Sequence, residues 1–311
     1  MSTSRGDVAA LYTPIYDFFM MSTFNEEKQK HPLLFKEITD STKLFIVNQI
    51  SSLGVWKAQN ELQSGNYEDP VLGYSWTYTQ AKFSNYFQTS FESVDQDEYA
   101  LLKKEGDAKA LGAGGRAKVE LDTAGDLING FSVAGPDGQY LWSTSHPKNS
   151  QETGITYSNL LAGPFSHDNL EAAETQISAN FFDMKGIPIE QIDDPYLVYP
   201  PALRGAVKRV LDDRALERPG TAERDINRFA GTYKPMEWRY LASAAGTIFG
   251  GSNTAWYIIY PELGFMKIIW SQKPHFTSWI DENVDAYNFK GRMLYSHGID
   301  DWRAGFASTG L

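Results

Sequence analysis

Cysteine is absent from the 311 residues, so no disulfide and no thiolate site can form. Basic charge is scarce: 28 Lys and Arg stand against 39 Asp and Glu, a formal charge of −11. A sequence-specific nucleic-acid binder carries a basic face. Here the longest basic clusters are the pairs Lys103-Lys104 and Lys208-Arg209, both inside helical patterns. No run of eighteen apolar residues occurs, so no membrane-spanning segment is expected. The opening MSTSRGDVAALYTPIYDFF lacks the basic, apolar and small-residue parts of a secretory signal. Metal-ligand spacings, a paired-histidine helix and a nucleophile elbow are also missing, so neither a metal nor a cofactor is expected.

What is present is ordinary globular material rich in aromatics, with 8 Trp, 17 Tyr and 18 Phe. Such side chains supply large buried areas in cores and in subunit contacts. Residues 1–52 carry polar and aromatic patches with weak periodicity. Short helices are expected from Asp7 and from Glu26 to Ile38, in an arm that packs on something else. Residues 53–92 look like β-structure. In GYSWTYTQAKF, Tyr74, Trp76 and Tyr78 alternate with Ser75, Thr77 and Thr79, a period of two that puts the rings on one face. With a strand from about Val55 and the turn-forming LQSGNYEDP, a hairpin results. A two-stranded ribbon is barely stable alone, so Trp56, Tyr74, Trp76 and Tyr78 are candidate contacts to a neighbouring subunit. The competing reading places the same rings in the subunit's own core.

Residues 93–133 read as one long helix, capped by Ser93 with Asp95, Asp97 and Glu98 in its first turn. Tyr99, Leu102, Leu111, Val119, Leu127 and Phe131 form its apolar stripe. GAGGRA interrupts it, and three helical glycines at ~1 kcal/mol each predict a bend. A phosphate cradle fits poorly, because no strand precedes and no Gly-Lys-Ser/Thr follows. Residues 134–165 are a polar connection in which His146 is expected at the surface as a hydrogen-bonding residue. Ser166 caps a helix with Leu170, Ala173, Ile177 and Phe181 on one face, closed by Lys185-Gly186. YLVY (196–199) reads as an interior strand stopped by Pro200, and Pro201 opens the next helix. Residues 214–235 read as a loop, and strands are expected at 237–242, 255–260, 264–270 and along AYNFKGRMLYSHG.

Three of these stretches resemble a known family in its own order. DGQYLWSTSHPKNS leading to TYSNLLAGPFSHDNLEAAETQI, then KGIPIEQIDDPYLVYPPALRGAVKRVL, then HGIDDWRAGFASTG resemble successive segments of Mu-like phage major head proteins, over most of residues 137–311. The resemblance implies an α+β fold, the tailed-phage capsid fold of Hong Kong 97 type. In that fold residues 1–52 are an N-terminal arm and 53–92 an extended β-hairpin loop. Residues 93–150 form a peripheral domain on a long spine helix, 151–263 an α/β axial domain, and 264–311 strands returning to the peripheral domain.

The implied function is that of a major capsid protein located in the virion and assembled in the host bacterial cytoplasm. It self-assembles into hexamers and pentamers of an icosahedral shell around dsDNA, without sequence-specific contact to it. Portal, scaffold and decoration proteins are further implied partners, with no membrane. Two rivals follow from the residues and the fold. One is an encapsulating nanocompartment. The other is a hydrolase using His146 or His167 with Asp137, Asp168 or Glu171, which no catalytic motif supports.

Overall fold

A computed structural model describes residues 18–25, 29–65, 67–92, 101–190, 195–212, 215–217, 224–227, 229–243 and 250–311. In chain order its helices are α1 (18–25), α2 (His31–Leu34), α3 (Leu101–Asn129), α4 (His167–Asn180) and α5 (Arg204–Asp212). The strands are β1 (Lys36–Thr39), β2 (Leu44–Ile50), β3 (Leu72–Thr79), β4 (Ala81–Ser90), β5 (His146–Pro147), β6 (Thr156–Tyr157), β7 (Leu160–Leu161) and β8 (Tyr196–Tyr199). They continue with β9 (Ala215–Glu217), β10 (Arg224–Ile226), β11 (Lys234–Glu237), β12 (Trp256–Ile259), β13 (Met266–Asp281), β14 (Ala286–Ile299) and β15 (Gly305–Ser308).

Two sheets carry the mass. One has the order β1-β13-β14-β4, built on the long antiparallel β13–β14 hairpin, with β1 added in parallel. The other has the order β11-β8-β12-β15-β7. All four residues of WYII in β12 and of GFAS in β15 are buried, the signature of strands covered on both faces. One apolar cluster joins the two sheets. Val119, Ala124 and Leu127 of α3 share it with Leu170, Ala173 and Ile177 of α4, Val207 of α5, the β8 and β12 side chains, and Trp270 and Tyr295 of the first sheet. A smaller cluster of Met20, Phe91, Ala108, Phe276, Tyr287 and Phe289 fills the far end of the β13–β14 hairpin.

The strands at 255–260, 264–270 and 286–298, the YLVY strand and the Ser166 cap form where expected; Ser166 Oγ accepts from Asn169 N at 3.2 Å. Other expectations need correction. No strand starts at Val55. The partner of β3 is β2, from the stretch assigned to the arm. Of the helix expected at 26–38, the described residues form the single turn α2, and residues 36–39 join the edge of the first sheet. α4 ends at Asn180, ahead of Lys185-Gly186, which form a tight turn on Asp183. Residues 239–241 are a 3-10 turn after β11 rather than the expected strand. Residues 215–217 and 224–226, within the expected loop, pair as a small hairpin. Asp7, Ser93, Asp95, Asp97, Glu98 and Tyr99 lie outside the described residues, as does the side chain of Leu102.

Helix α3 runs unbroken through GAGGRA. Its glycines serve close approach. A Cβ on Gly112 would run into the carbonyl oxygen of Met20 in α1, and one on Gly115 would sit 3.6 Å from the Phe24 ring. One and two turns further, Arg116 Nη1 donates to Thr23 O at 2.6 Å, and Glu120 Oε1 accepts from Lys30 N at 2.6 Å and His31 N at 3.2 Å. Positions 112, 116 and 120 repeat every four residues and so share one helix face. That face is the bed of α1 and of the start of α2.

Candidate assembly surface

The β2–β3 ribbon has two apolar faces. Its register opposes Phe45 to Tyr78 and Val47 to Trp76 on one side, and Leu44 to Thr79, Ile46 to Thr77 and Ile50 to Leu72 on the other. The first face turns inward. Tyr78 is only 2% exposed, and its hydroxyl donates to Gly298 O at 3.4 Å. Tyr74 is half-buried and donates to Asn149 O at 3.3 Å, and Trp76 is half-buried beside it. Tyr78 is thus packed on its own chain, while Tyr74 and Trp76 are each only partly covered by it. Trp56, by contrast, is 96% exposed at the ribbon's end.

The outer face and the connecting loop expose Leu44, Ile46, Ile50, Leu53, Val55, Trp56, Leu62, Tyr67 and Leu72. Isolated exposed apolar side chains are normal, whereas a contiguous set marks a contact surface. Polar tethers hold the loop end of the ribbon. Gln49 Nε2 donates to Asp300 O at 2.7 Å, Ser52 Oγ to Asp183 Oδ2 at 2.6 Å, Ser150 Oγ to Leu72 O at 2.8 Å and Lys185 Nζ to Asp69 O at 3.0 Å.

Those tethers reach a buried polar knot built from the DGQYLWSTSHPKNS and HGIDDWRAGFASTG segments. His146 Nδ1 meets Asp137 Oδ2 at 2.6 Å, its Nε2 donates to Leu141 O at 3.2 Å, and its ring stacks on Trp302 at 4.7 Å. Asn159 Nδ2 donates to Leu141 O and Trp302 O. Arg303 Nη1 bridges both Asp301 oxygens at 3.1 Å, and its Nε donates to Phe182 O at 2.7 Å. A buried charge pair with its remaining donors satisfied fixes geometry, here between residues 137–159 and 301–303.

His146, expected at the surface, is fully buried. Its neighbours are acceptors and an indole, so it holds the loop. His167 has different neighbours: its ring lies 4.7 Å from Phe229, beside an exposed Asp168. The two histidines of the hydrolase reading thus lie in separate surroundings, and His167 Nε2 is buried without a hydrogen-bond partner. Among the described residues, no group of His, Cys, Asp or Glu is arranged to hold a metal ion, and no helix is long and apolar enough to cross a membrane.

On α3 three carboxylates clamp the elements around it. Glu120 Oε1 also lies 2.9 Å from His31 Nδ1. Burial alone would depress the His31 imidazole, but the hydrogen bonds and charges of Glu120 and Glu37 outweigh it and raise the pKa. The Glu120 carboxyl is lowered: burial raises it, and the bonds from His31 and Lys30 more than reverse that. Asp122 accepts from Tyr295 Oη at 2.6 Å and Lys118 Nζ at 2.7 Å, and Asp126 lies 2.8 Å from His297 Nδ1. The spine helix is locked to β14 by these contacts. Sequence reading missed the bed of α1 on α3; the signal that marks it is the spacing of Gly112, Arg116 and Glu120.

A long helix, a broad hairpin sheet, a second mixed sheet and a ribbon with an exposed apolar outer face suit a shell-building subunit. Solved capsids have the same arrangement. The capsid of cyanophage P-SCSP1u matches with a TM-score of 0.59 at 10% identity, over 91% of this chain and 88% of that one. The mature capsid of bacteriophage PhiM1 matches with a TM-score of 0.57 at 12% identity, over 89% and 86%. A virus-like particle from Pyrococcus furiosus matches with a TM-score of 0.53 at 11% identity, over 96% and 99%. At such identities the likeness is one of fold, the Hong Kong 97 type capsid fold, α+β. The phage capsid protein family matches residues 74–308, and the chain belongs to that family. It is a phage capsid protein, a structural component of the virion. No curated protein matches it at significant similarity.

Proposed function

We propose that this chain is the major head subunit of a Mu-like tailed phage, assembling in the host cytoplasm into hexamers and pentamers around dsDNA. Its extended loop is the ribbon 44–79, with 81–90 and 264–299 in the peripheral domain on α3. The arm is the segment bedded on Gly112, and the axial domain is the second sheet with α4 and α5. Portal, scaffold and decoration proteins are its expected further partners. The observation that carries this reading is the outer face of the ribbon, where Leu44, Ile46, Ile50 and Trp56 stand exposed although they cost stability in water. A net charge of −11 opposes adhesion of DNA to the protein, leaving the packaged genome free to move.

Trp56→Ser tests it. The indole is 96% exposed, so the subunit should fold unchanged. Truncating an aromatic anchor at an interface costs ~2–4 kcal/mol. The concentration needed for shells should then rise about 30- to 800-fold, read by sedimentation and electron microscopy. Shells forming at the wild-type concentration would refute the assignment. The likeness to the Pyrococcus furiosus particle, which spans 99% of that chain, favours one second reading, a nanocompartment. Small uniform shells lacking DNA would support it over a phage head.

A further inference from the structure

The first sheet has two unlike faces. Alternation along β14 sends Phe289, Met293 and Tyr295 into the apolar clusters beside α3. The residues between and beside them, Lys290, Arg292 and Leu294, fall on the far face. The register sets Lys82, Ser84 and Tyr86 of β4 across from Leu294, Arg292 and Lys290. It sets His275 and Thr277 of β13 across from Arg292 and Lys290. The middle of the far face is therefore basic. Lys82, Lys290 and Arg292 make no ion pair among the described residues. No Asp or Glu shares these rows until Asp281, at the very end of β13. Two uncovered rings stand with the cations, Tyr86 at 63% and Trp279 at 44% exposure. In a chain of formal charge −11, unpaired cations gathered around exposed aromatics stand out from the rest of the surface, and aromatics and arginine are the side chains enriched where proteins meet.

The matching acids lie at the far end of the same sheet. The β13–β14 turn carries Asp281, Glu282 and Asp285, and Glu92 sits beside it, where Phe91 N donates to Asp285 O at 2.9 Å. These carboxylates also lack ion pairs among the described residues, and Val284 between them is exposed. The tip cannot reach the basic rows of its own chain. Asp285 and Arg292 lie at opposite ends of an extended stretch of β14, ~24 Å apart at ~3.4 Å per residue. We propose that the acidic hairpin tip of one copy docks on the basic sheet face of a second copy, an inference that rests on the shell-forming reading above. Each copy carries both halves, so the contact is heterologous and passes from copy to copy. Nucleic acid fits this face less well. Three cations neutralise about three phosphates, a weak non-specific contact, and the remaining charge of the chain repels the polymer. A purely apolar partner would bury the cations without a counter-charge. The tip brings carboxylates to the cations, and its Val284 can lie against Tyr86.

Charge reversal on each half, then on both, tests this. Lys290→Glu with Arg292→Glu reverses the face, and Glu92→Lys with Glu282→Lys reverses the tip. Each pair should raise the concentration needed for shells about tenfold or more, because like charges then meet across the contact. The chain carrying all four substitutions keeps the net charge of −11 and should return to within about threefold of wild type. Cysteine is absent from the chain, which supplies a readout independent of these variants. Tyr86→Cys with Val284→Cys should give disulfide-linked oligomers on oxidation of assembled protein, since the two positions are too far apart to close within one chain. Reversed variants that assemble at the wild-type concentration, or a cysteine pair that stays monomeric, would overturn the proposal. A fourfold variant that fails to recover would overturn the tip as the partner. Duplex DNA binding by the wild-type subunit that Lys290→Glu with Arg292→Glu abolishes would give the face to nucleic acid instead. Wild-type shells that tolerate both reversals sink this contact alone, whereas a wild-type chain that never self-associates sinks the shell-forming reading with it.

Discussion

Two glycines of α3, two residues apart, should respond to alanine in opposite directions. At Gly114 nothing lies within 4 Å of the position a Cβ would take. Alanine there gains the full helix-propensity difference, ~1 kcal/mol, and adds no contact to strain. At Gly112 the same gain is available, but the added Cβ meets the backbone carbonyl of Met20, which has no side chain that can rotate away. Forcing a methyl group into a packed site costs ~1–3 kcal/mol. The net for Gly112→Ala is then between zero and about 2 kcal/mol of destabilisation. The separation between the two variants is the overpacking cost itself, ~1–3 kcal/mol. Urea unfolding of the unassembled subunit reads the difference. Limited proteolysis reads its cause, because the arm must lift off α3 to relieve the clash, exposing residues 18–25 to cleavage in Gly112→Ala alone. If both variants gain stability equally and the arm stays protected, close approach is not the reason glycine occupies position 112.

Further outcomes follow from the buried polar groups. Arg303→Ala leaves the Asp301 carboxylate without its guanidinium partner and Phe182 O without its donor, and should cost ~3–5 kcal/mol, measured by chemical denaturation. Arg303→Ala combined with Asp301→Ala should cost less than Arg303→Ala alone if the unpaired charge is the main loss. The His31–Glu120 pair has a defined pH window. His31 is raised above 6.5 in the folded chain, so its contribution is complete below pH 6.5 and is lost as pH rises through the folded value. Glu120 is lowered below 4.5, so its contribution is present above pH 4.5 and is lost as pH falls through the folded value. The pair therefore stabilises most between pH 4.5 and 6.5. In His31→Gln the melting temperature should fall less steeply than wild type above pH 6.5. An unchanged difference between the two proteins across that range and up to about pH 9 would show that the pair contributes nothing ionic.

Elements whose pattern depends on their own backbone were legible. The alternation in GYSWTYT, the Ser166 cap, the prolines that follow YLVY and the long apolar runs 255–260 and 264–270 each encode a strand or a cap locally. The misreadings share a cause of another kind. β2 puts Leu44, Ile46 and Ile50 into solvent, so an isolated chain offers no reason for its apolar residues to alternate with Phe45 and Val47. Its pairing partner, β3, lies across a loop of residues 51–71, and the turn-rich LQSGNYEDP inside that loop points to a strand at Val55 instead. The glycines of α3 look like a defect until α1 lies on them. His146 looks like a surface residue until Trp302, distant in sequence, covers it. In every case the deciding contact joins segments far apart in the chain, and on the outer face of β2 it is not made among the described residues. A strand that is apolar on both faces in a two-stranded ribbon is unaccountable for a monomer and is what a subunit awaiting its neighbours requires. The stretch that resisted reading as an isolated fold is for that reason the one that points most directly to assembly.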